Sequence, residues 1–177
     1  GRIEVDETFL GGEAEGPRGR GSLGKALIVI AAQEEGRGIG RIRMARIPDA
    51  SGDSLRGFIG SAVEPGATLH TDGWDGYAGI EKHGYRHERS VLRGHGKQAA
   101  PELLPRVHLI ASLLKRWILG THQGSVGFQH LDYYLDEFTF RFNRRRSGSR
   151  GKLFYRLVEQ AVAVEPAPYK DMVGGKS

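Results

Sequence analysis

Two aspartates occupy positions where a carboxylate is costly. Asp6 follows Ile3, Glu4 and Val5 in an apolar/polar alternation, so it belongs to a strand and faces away from Ile3 and Val5. Asp72 closes a short strand over Thr68–Thr71 and precedes Gly73 and Trp74. An acid at the end of a core strand is expensive unless water, a donor or a metal ion compensates it. Taken singly, each suits a strand end or a turn, and Asp72-Gly73 is a good turn pair. Taken together, they are the donor type preferred by hard divalent cations such as Mg²⁺, which share carboxylate and phosphate oxygens. A pair of such ions can polarise a phosphodiester and generate the attacking hydroxide.

A third ligand is expected of such a centre, yet Leu103 to Leu131 holds no Asp or Glu. The helix after Pro105 instead carries His108, Ser112 and Lys115 at i, i+4 and i+7, a polar stripe beside its apolar one. Two turns separate His108 from Lys115, so they point the same way. A neutral imidazole can ligate a metal, and suits Mn²⁺ or Zn²⁺ better than Mg²⁺. Lys115 supplies a point charge for a phosphate. An ordinary amphipathic helix with solvated polar groups has the same spacing.

A second chemical feature is basic. No acid occurs between Phe138 and Val158, while Arg141, Arg144, Arg145, Arg146, Arg150, Lys152 and Arg156 do. Like charges this dense repel one another unless a polyanion or solvent relieves them. The run reads either as a phosphate-contacting patch or as a solvated helix end whose cations suit the macrodipole. Gly19–Lys25 (GRGSLGK) matches the core of a phosphate-binding loop, but Ala26 replaces the Ser or Thr the metal needs and a strand follows instead of a helix. It reads as loop.

The elements that must position these residues follow from periodicity. Ala26–Ala32 (ALIVIAA) is a buried strand, and Ile39–Ile47 alternates as another. Ser51 to Val63 is helical, with Ser51 as cap and Leu55, Phe58, Ile59 and Ala62 on one face. A short helix over Tyr77–His83 and a strand over Tyr85–Val91 complete the first half. Three helices follow, with stripes Val107/Ile110/Ala111/Leu114/Ile118, Leu131/Leu135/Phe138/Phe142 and Leu153/Leu157/Val158/Ala161/Val162. The expected fold is α/β: a mixed five-stranded sheet flanked by helices, with extra C-terminal helices. At 177 residues it forms one domain, 1–165, with a tail over 166–177. The net charge is +5, cysteine is absent, and no apolar run is long enough to span a bilayer. These exclude a disulfide scaffold, a thiolate metal site and a cysteine nucleophile.

Four segments together resemble insertion-sequence transposases of the ribonuclease H-like DDE superfamily: VDETFLGG (Val5–Gly12), TDGWDGY (Thr71–Tyr77), HLIASLLKRWILGTHQG (His108–Gly124) and YLDEFTFRFNRR (Tyr134–Arg145). The resemblance is to the ISXO-like branch, in which His or Asn replaces the third acid and Lys follows seven residues later. It implies a ribonuclease H-like fold and a metal-dependent enzyme that cleaves DNA strands and transfers them to target DNA. It implies that Asp6, Asp72 and His108 hold Mg²⁺ or Mn²⁺, two ions in number, and that Lys115 joins them as a catalytic residue. Arg141, Arg144, Arg145, Arg146, Arg150 and Lys152 would contact DNA. If His108 is not the third ligand, Glu102 is the nearest upstream acid. The resemblance further implies an upstream DNA-binding region outside this chain, homo-oligomeric action on DNA, and work in the bacterial cytoplasm at the nucleoid, not in a membrane. The alternatives are a related nuclease that does not transpose and a non-enzymatic DNA-binding module with a degenerate site.

Overall fold

The computed structural model describes residues 1–11, 25–90, 103–122 and 130–165. The first strand, β1 (Arg2–Leu10), pairs antiparallel with β2 (Ala26–Glu35), which pairs antiparallel with β3 (Gly38–Ile47). Helix α1 (Gly52–Ala62) carries the chain back to β4 (Thr68–Thr71), which runs parallel to β1, and β5 (Arg86–Arg89) runs parallel to β4. The sheet order is β3-β2-β1-β4-β5. Helices α2 (Pro105–His122), α3 (Leu131–Asn143) and α4 (Arg150–Val162) follow. The mixed five-stranded sheet is the one the sequence predicts.

Both faces of the sheet are covered. One face packs Leu10, Ile28, Ile30 and Ile42 against Val107, Ile110, Leu114 and Ile118 of α2 and Leu131 and Leu135 of α3. The other packs Val5, Val29, Ala31 and Leu69 against Leu55, Phe58 and Ile59 of α1, with Tyr77, Ile80 and Tyr85. This explains why β2 reads as an unbroken apolar run: Ile28 to Ala32 are buried on both sides.

Local signals hold at α1. Ser51 is its N-cap and accepts from the Ser54 amide at 3.3 Å. At the other end, the Tyr85 hydroxyl donates to the Val63 carbonyl at 2.8 Å, satisfying a backbone acceptor that the helix leaves open. Gly66, at φ +87°, makes the turn into β4 where a side chain would be strained.

Some elements differ from expectation. The helix over Tyr77–His83 is two single 3₁₀ turns, Asp75–Tyr77 and Ile80–His83, separated by Gly79 in the left-handed region at φ 78°. Strand β5 is only four residues long. The Gly19–Lys25 motif lies outside the described residues except for Lys25, as do Glu102 and the 166–177 tail. The apolar stripe of α4 is largely bare: Leu157, Val158 and Val162 are exposed, as are Phe154 and Tyr155 beside them. Periodicity registers an apolar face, but it does not say whether the same chain covers it.

Candidate functional site

The site is built on β1 and on what its two faces touch. Glu4, Asp6 and Thr8 share one face because strand side chains alternate. Helix α2 runs along that face, and its position is set by Glu4. This carboxylate is fully buried and accepts from the backbone amides of Arg106 at 2.7 Å and Val107 at 3.0 Å. The Arg106 guanidinium donates to the same carboxylate at 2.8 Å. A strand carboxylate therefore caps the open N–H groups of a helix 102 residues away, at the end where the dipole favours negative charge.

With the helix start anchored, the next side chains fall into step. His108 Nε2 lies 3.8 Å from Asp6 Oδ2. Lys115 Nζ, two helical turns further on, donates to Thr8 Oγ1 at 2.7 Å. The polar stripe of α2 thus faces β1 as its spacing predicts. Burial, and then Lys25, holds the Lys115 ammonium below its ordinary pKa.

Asp72 comes from the neighbouring strand. The parallel register sets Ile3 beside Leu69 and Glu4 beside His70. Two residues beyond that last pair stand Asp6, still within β1, and Asp72, just past the end of β4. Asp72 leaves the ladder there, and its Oδ1 accepts from the Trp74 amide at 2.9 Å, an Asx turn of the kind Asp-Gly favours.

A third carboxylate joins them. Glu7 points to the opposite face of β1 and accepts from the Tyr77 hydroxyl at 2.9 Å. Burial raises the Asp6 pKa to about 6; the Glu7 amide and His108 oppose the rise and Asp72 adds to it. Burial likewise raises Glu7 to about 7, against the Tyr77 hydrogen bond and with Asp6 and Asp72 adding to it. Three crowded acids with one imidazole beside them make a site short of positive charge. Glu7 and Asp72 open onto a cleft of about 830 Å³, whose walls include Phe9, Trp74, Lys25 and Arg46.

Another cluster looks like a metal site by distance alone. Glu4, Glu34 and His70 have donor atoms within 4.8 Å of one another, the one such trio among the described residues. Its carboxylates already face cations: Arg106 bonds Glu4 and lies 3.5 Å from Glu34, and Arg2 also bonds Glu34. It is an ion-pair network that ties β1, β2 and α2 together.

The basic run divides. Arg141 pairs with Glu137 one turn back at 2.8 Å, and Arg146 pairs with Glu35 at 2.8 Å. Arg145 lies over the Phe142 ring at 3.7 Å and donates to the carbonyls of Ile39 and Phe142, which docks the end of α3 on β3. Arg144 lies over Phe140 at 3.8 Å. The Arg150 side chain lies outside the described residues. Trp117 packs against Tyr134 and Phe138, and Tyr77 is buried.

Sequence reasoning passed over Glu4, Glu7 and Thr8. The signal for Glu7 was present: strand alternation puts it on the apolar face with Val5. Glu4 carried a weaker signal, since it shares the Asp6 face.

The ISXO2-like transposase domain family matches residues 1–143. The chain belongs to the ISXO2-like transposase domain family. Helix α4 lies beyond the matched segment. Comparison with curated protein sequences gives no match. The fold of this transposase domain is similar to that of the catalytic core domain of BIV integrase. The TM-score is 0.53 at 16% identity, over 92% of this chain and 98% of that one. It is also similar to a chain of the simian T-cell lymphotropic virus intasome solved with PP2A regulatory subunit B56 gamma. There the TM-score is 0.50 at 12% identity, over 79% of this chain and 47% of that one. These likenesses establish the ribonuclease H-like fold. The protein is a transposase catalytic domain, an enzyme acting on DNA, of a class that generally uses divalent metal ions. Among the described residues no helix is long and apolar enough to cross a membrane.

Proposed function

We propose that Asp6, Asp72 and His108 form the metal-binding catalytic centre of DNA strand cleavage and strand transfer, with Lys115 beside them. The observation that carries this reading is the convergence of β1, the end of β4 and α2: the Asp6–His108 approach at 3.8 Å, with Asp72 just past the adjoining strand and near enough for its charge to act on Asp6. The donor set fits hard divalent cations. Two carboxylates and an imidazole nitrogen supply O and N ligands, and burial raises the Asp6 pKa to about 6, a charge cost that a bound cation would relieve. The centre is read as holding two ions, Mg²⁺ or Mn²⁺, which are roughly 3.5–4 Å apart in two-metal sites. When bound, such ions polarise the phosphodiester and acidify the attacking oxygen.

The chain's own groups do the rest. Glu4 anchors α2 so that His108 and Lys115 keep their register on β1. The Lys115 ammonium, held by Thr8, can donate to a phosphate oxygen and offset the charge that builds on it. The nucleophile is water in cleavage, releasing a 3′-hydroxyl, and that hydroxyl in strand transfer. Arg141, Arg144, Arg145, Arg146, Arg150 and Lys152 lie in the region read as backbone contacts. Arg144 and Lys152 have no ion pair among the described residues and carry the most of this role, whereas Arg141 and Arg145 also have structural duties. Multimeric assembly on DNA belongs to the same reading.

The test pairs DNA cleavage with DNA binding for Asp6→Asn and Asp72→Asn. Both should lose Mn²⁺-dependent cleavage by at least about a hundredfold, yet bind DNA like the parent. Parental cleavage in either variant overturns the assignment. A pre-cut 3′ end offered to target DNA separates transposition from simple nuclease action.

A further inference from the structure

A second hollow lies away from the carboxylates, on the outer side of the sheet. It measures about 600 Å³ and sits among β3, the end of α3 and α4. Five arginines line it: Arg41 and Arg43 from β3, Arg144 and Arg146 from the turn after α3, and Arg156 from α4. Four of them, all but Arg146, have no ion pair among the described residues. The Arg146 partner, Glu35, is as exposed as Arg146 itself, at 61% and 64%. A pair so exposed contributes at most about 1 kcal/mol and exchanges readily for another anion.

The hollow does not neutralise itself. Asp136 is the one acid on its wall. The Asp136 carboxyl is pushed up by burial and by Asp132, with no arginine pulling it down. The guanidinium carbon of Arg144 lies 3.8 Å from the Phe140 ring centre, a contact that uses none of its N–H donors. Convergent guanidinium groups of this kind match phosphate oxygens, to which each can donate two parallel hydrogen bonds. Arg41 and Arg43 stand far from the basic run in sequence, so three separate segments supply the charge.

We propose that this five-arginine hollow binds the sugar–phosphate backbone of duplex DNA as a contact separate from the catalytic carboxylates. The proposal rests on the reading of the chain as a DNA-acting transposase domain and adds the place of the contact. Strand β3 lies two strands from β1, roughly 10 Å across the sheet. Arg43 is registered with Ala31, and Ala31 with Val5, the residue before Asp6. A volume of about 600 Å³ exceeds one phosphate group and admits a short length of backbone.

The experiment uses the full chain with Arg41→Ala, Arg144→Ala and Arg156→Ala combined. Anisotropy of a labelled 30-base-pair duplex is followed from low to moderate salt. Each lost phosphate contact reduces the slope of log K against log salt by about 0.9, so the triple variant should lose about 2–3 from the parental slope. Asp72→Asn, measured beside it, should keep that slope. An unchanged slope in the triple variant overturns the proposal. So does tight binding of inorganic phosphate that the triple variant loses while its duplex slope stays parental, because the hollow is then a small-anion site. Circular dichroism confirms that the variant is folded, and Arg41→Lys with Arg156→Lys should restore most of the slope. Parental Mn²⁺-dependent cleavage, read separately, reports on the catalytic assignment whatever the slope shows.

Discussion

Replacing Glu4 by Gln tests how the site is held together. The Glu4 side chain is 1% exposed and accepts three hydrogen bonds, from the Arg106 and Val107 amides and the Arg106 guanidinium. The amide keeps the shape but removes the charge and turns an N–H₂ group toward donors. Each hydrogen bond to a charged group contributes about 1.5–3 kcal/mol, and such terms are not additive. Breaking one side of a buried ion pair typically costs about 3–5 kcal/mol. Glu34, 3.5 Å from the same guanidinium, offsets part of the loss. The expected destabilisation is therefore about 3–4 kcal/mol. In urea, with a slope of about 2 kcal/mol per molar, the midpoint should fall by about 1.5–2 M. Thermal unfolding should drop by about 6–16 °C for a chain of this size. Cleavage should also fall where both proteins are folded, because the start of α2 sets the register of His108 and Lys115. A loss under about 1 kcal/mol would refute the anchoring argument. Full stability loss with parental turnover of the folded fraction would refute its link to the site.

Four further outcomes follow from the same geometry. Asp6 and Glu7 have folded pKa values of about 6 and about 7, against ordinary values of 3.8 and 4.5. Between each pair of values the folded state holds the extra proton, so their contribution to stability falls as pH rises from about 4 through about 7, then levels off. The loss is on the order of 3 kcal/mol per group. Urea unfolding in chelator at pH 4 and pH 8 should show most of that fall in the parent and a smaller one in Asp6→Asn; an equal fall would remove Asp6 as its source. Mg²⁺ or Mn²⁺ should bind more tightly as pH rises over that window, with protons released on binding, which calorimetry in two buffers would show. His108→Ala should weaken metal binding with little change in melting temperature, whereas a lower melting temperature with normal cleavage would make it a packing residue. Lys115→Met should lower cleavage by roughly ten- to a hundredfold and leave Mn²⁺ affinity intact, while unchanged cleavage would reduce its bond to Thr8 to a structural tie.

The arginines show how little a charge run discloses by itself. Between Phe138 and Val158 the residues are alike in sequence, yet they do four different things. Arg141 pairs along its own helix, Arg145 docks α3 onto β3, Arg146 meets Glu35 at the rim of the hollow, and Arg144 joins Arg41, Arg43 and Arg156 around it. The Arg145–Ile39 and Arg146–Glu35 contacts cross more than a hundred residues of chain, so no local pattern contains them.

The strands, helices and facing of the site residues were legible because they depend on short periods. Alternation placed Asp6 opposite Val5, and a seven-residue step on a helix aligned His108 with Lys115. The Asp-Gly turn after β4 was likewise local chemistry. Tertiary structure alone decided which helix lies on the Asp6 face, through a buried glutamate capping the start of α2. It also brought Glu7 beside Asp6 and Asp72 as a third, half-buried acid and left the apolar side of α4 uncovered. Periodicity says which way a side chain points; only packing between distant segments decides what it meets there.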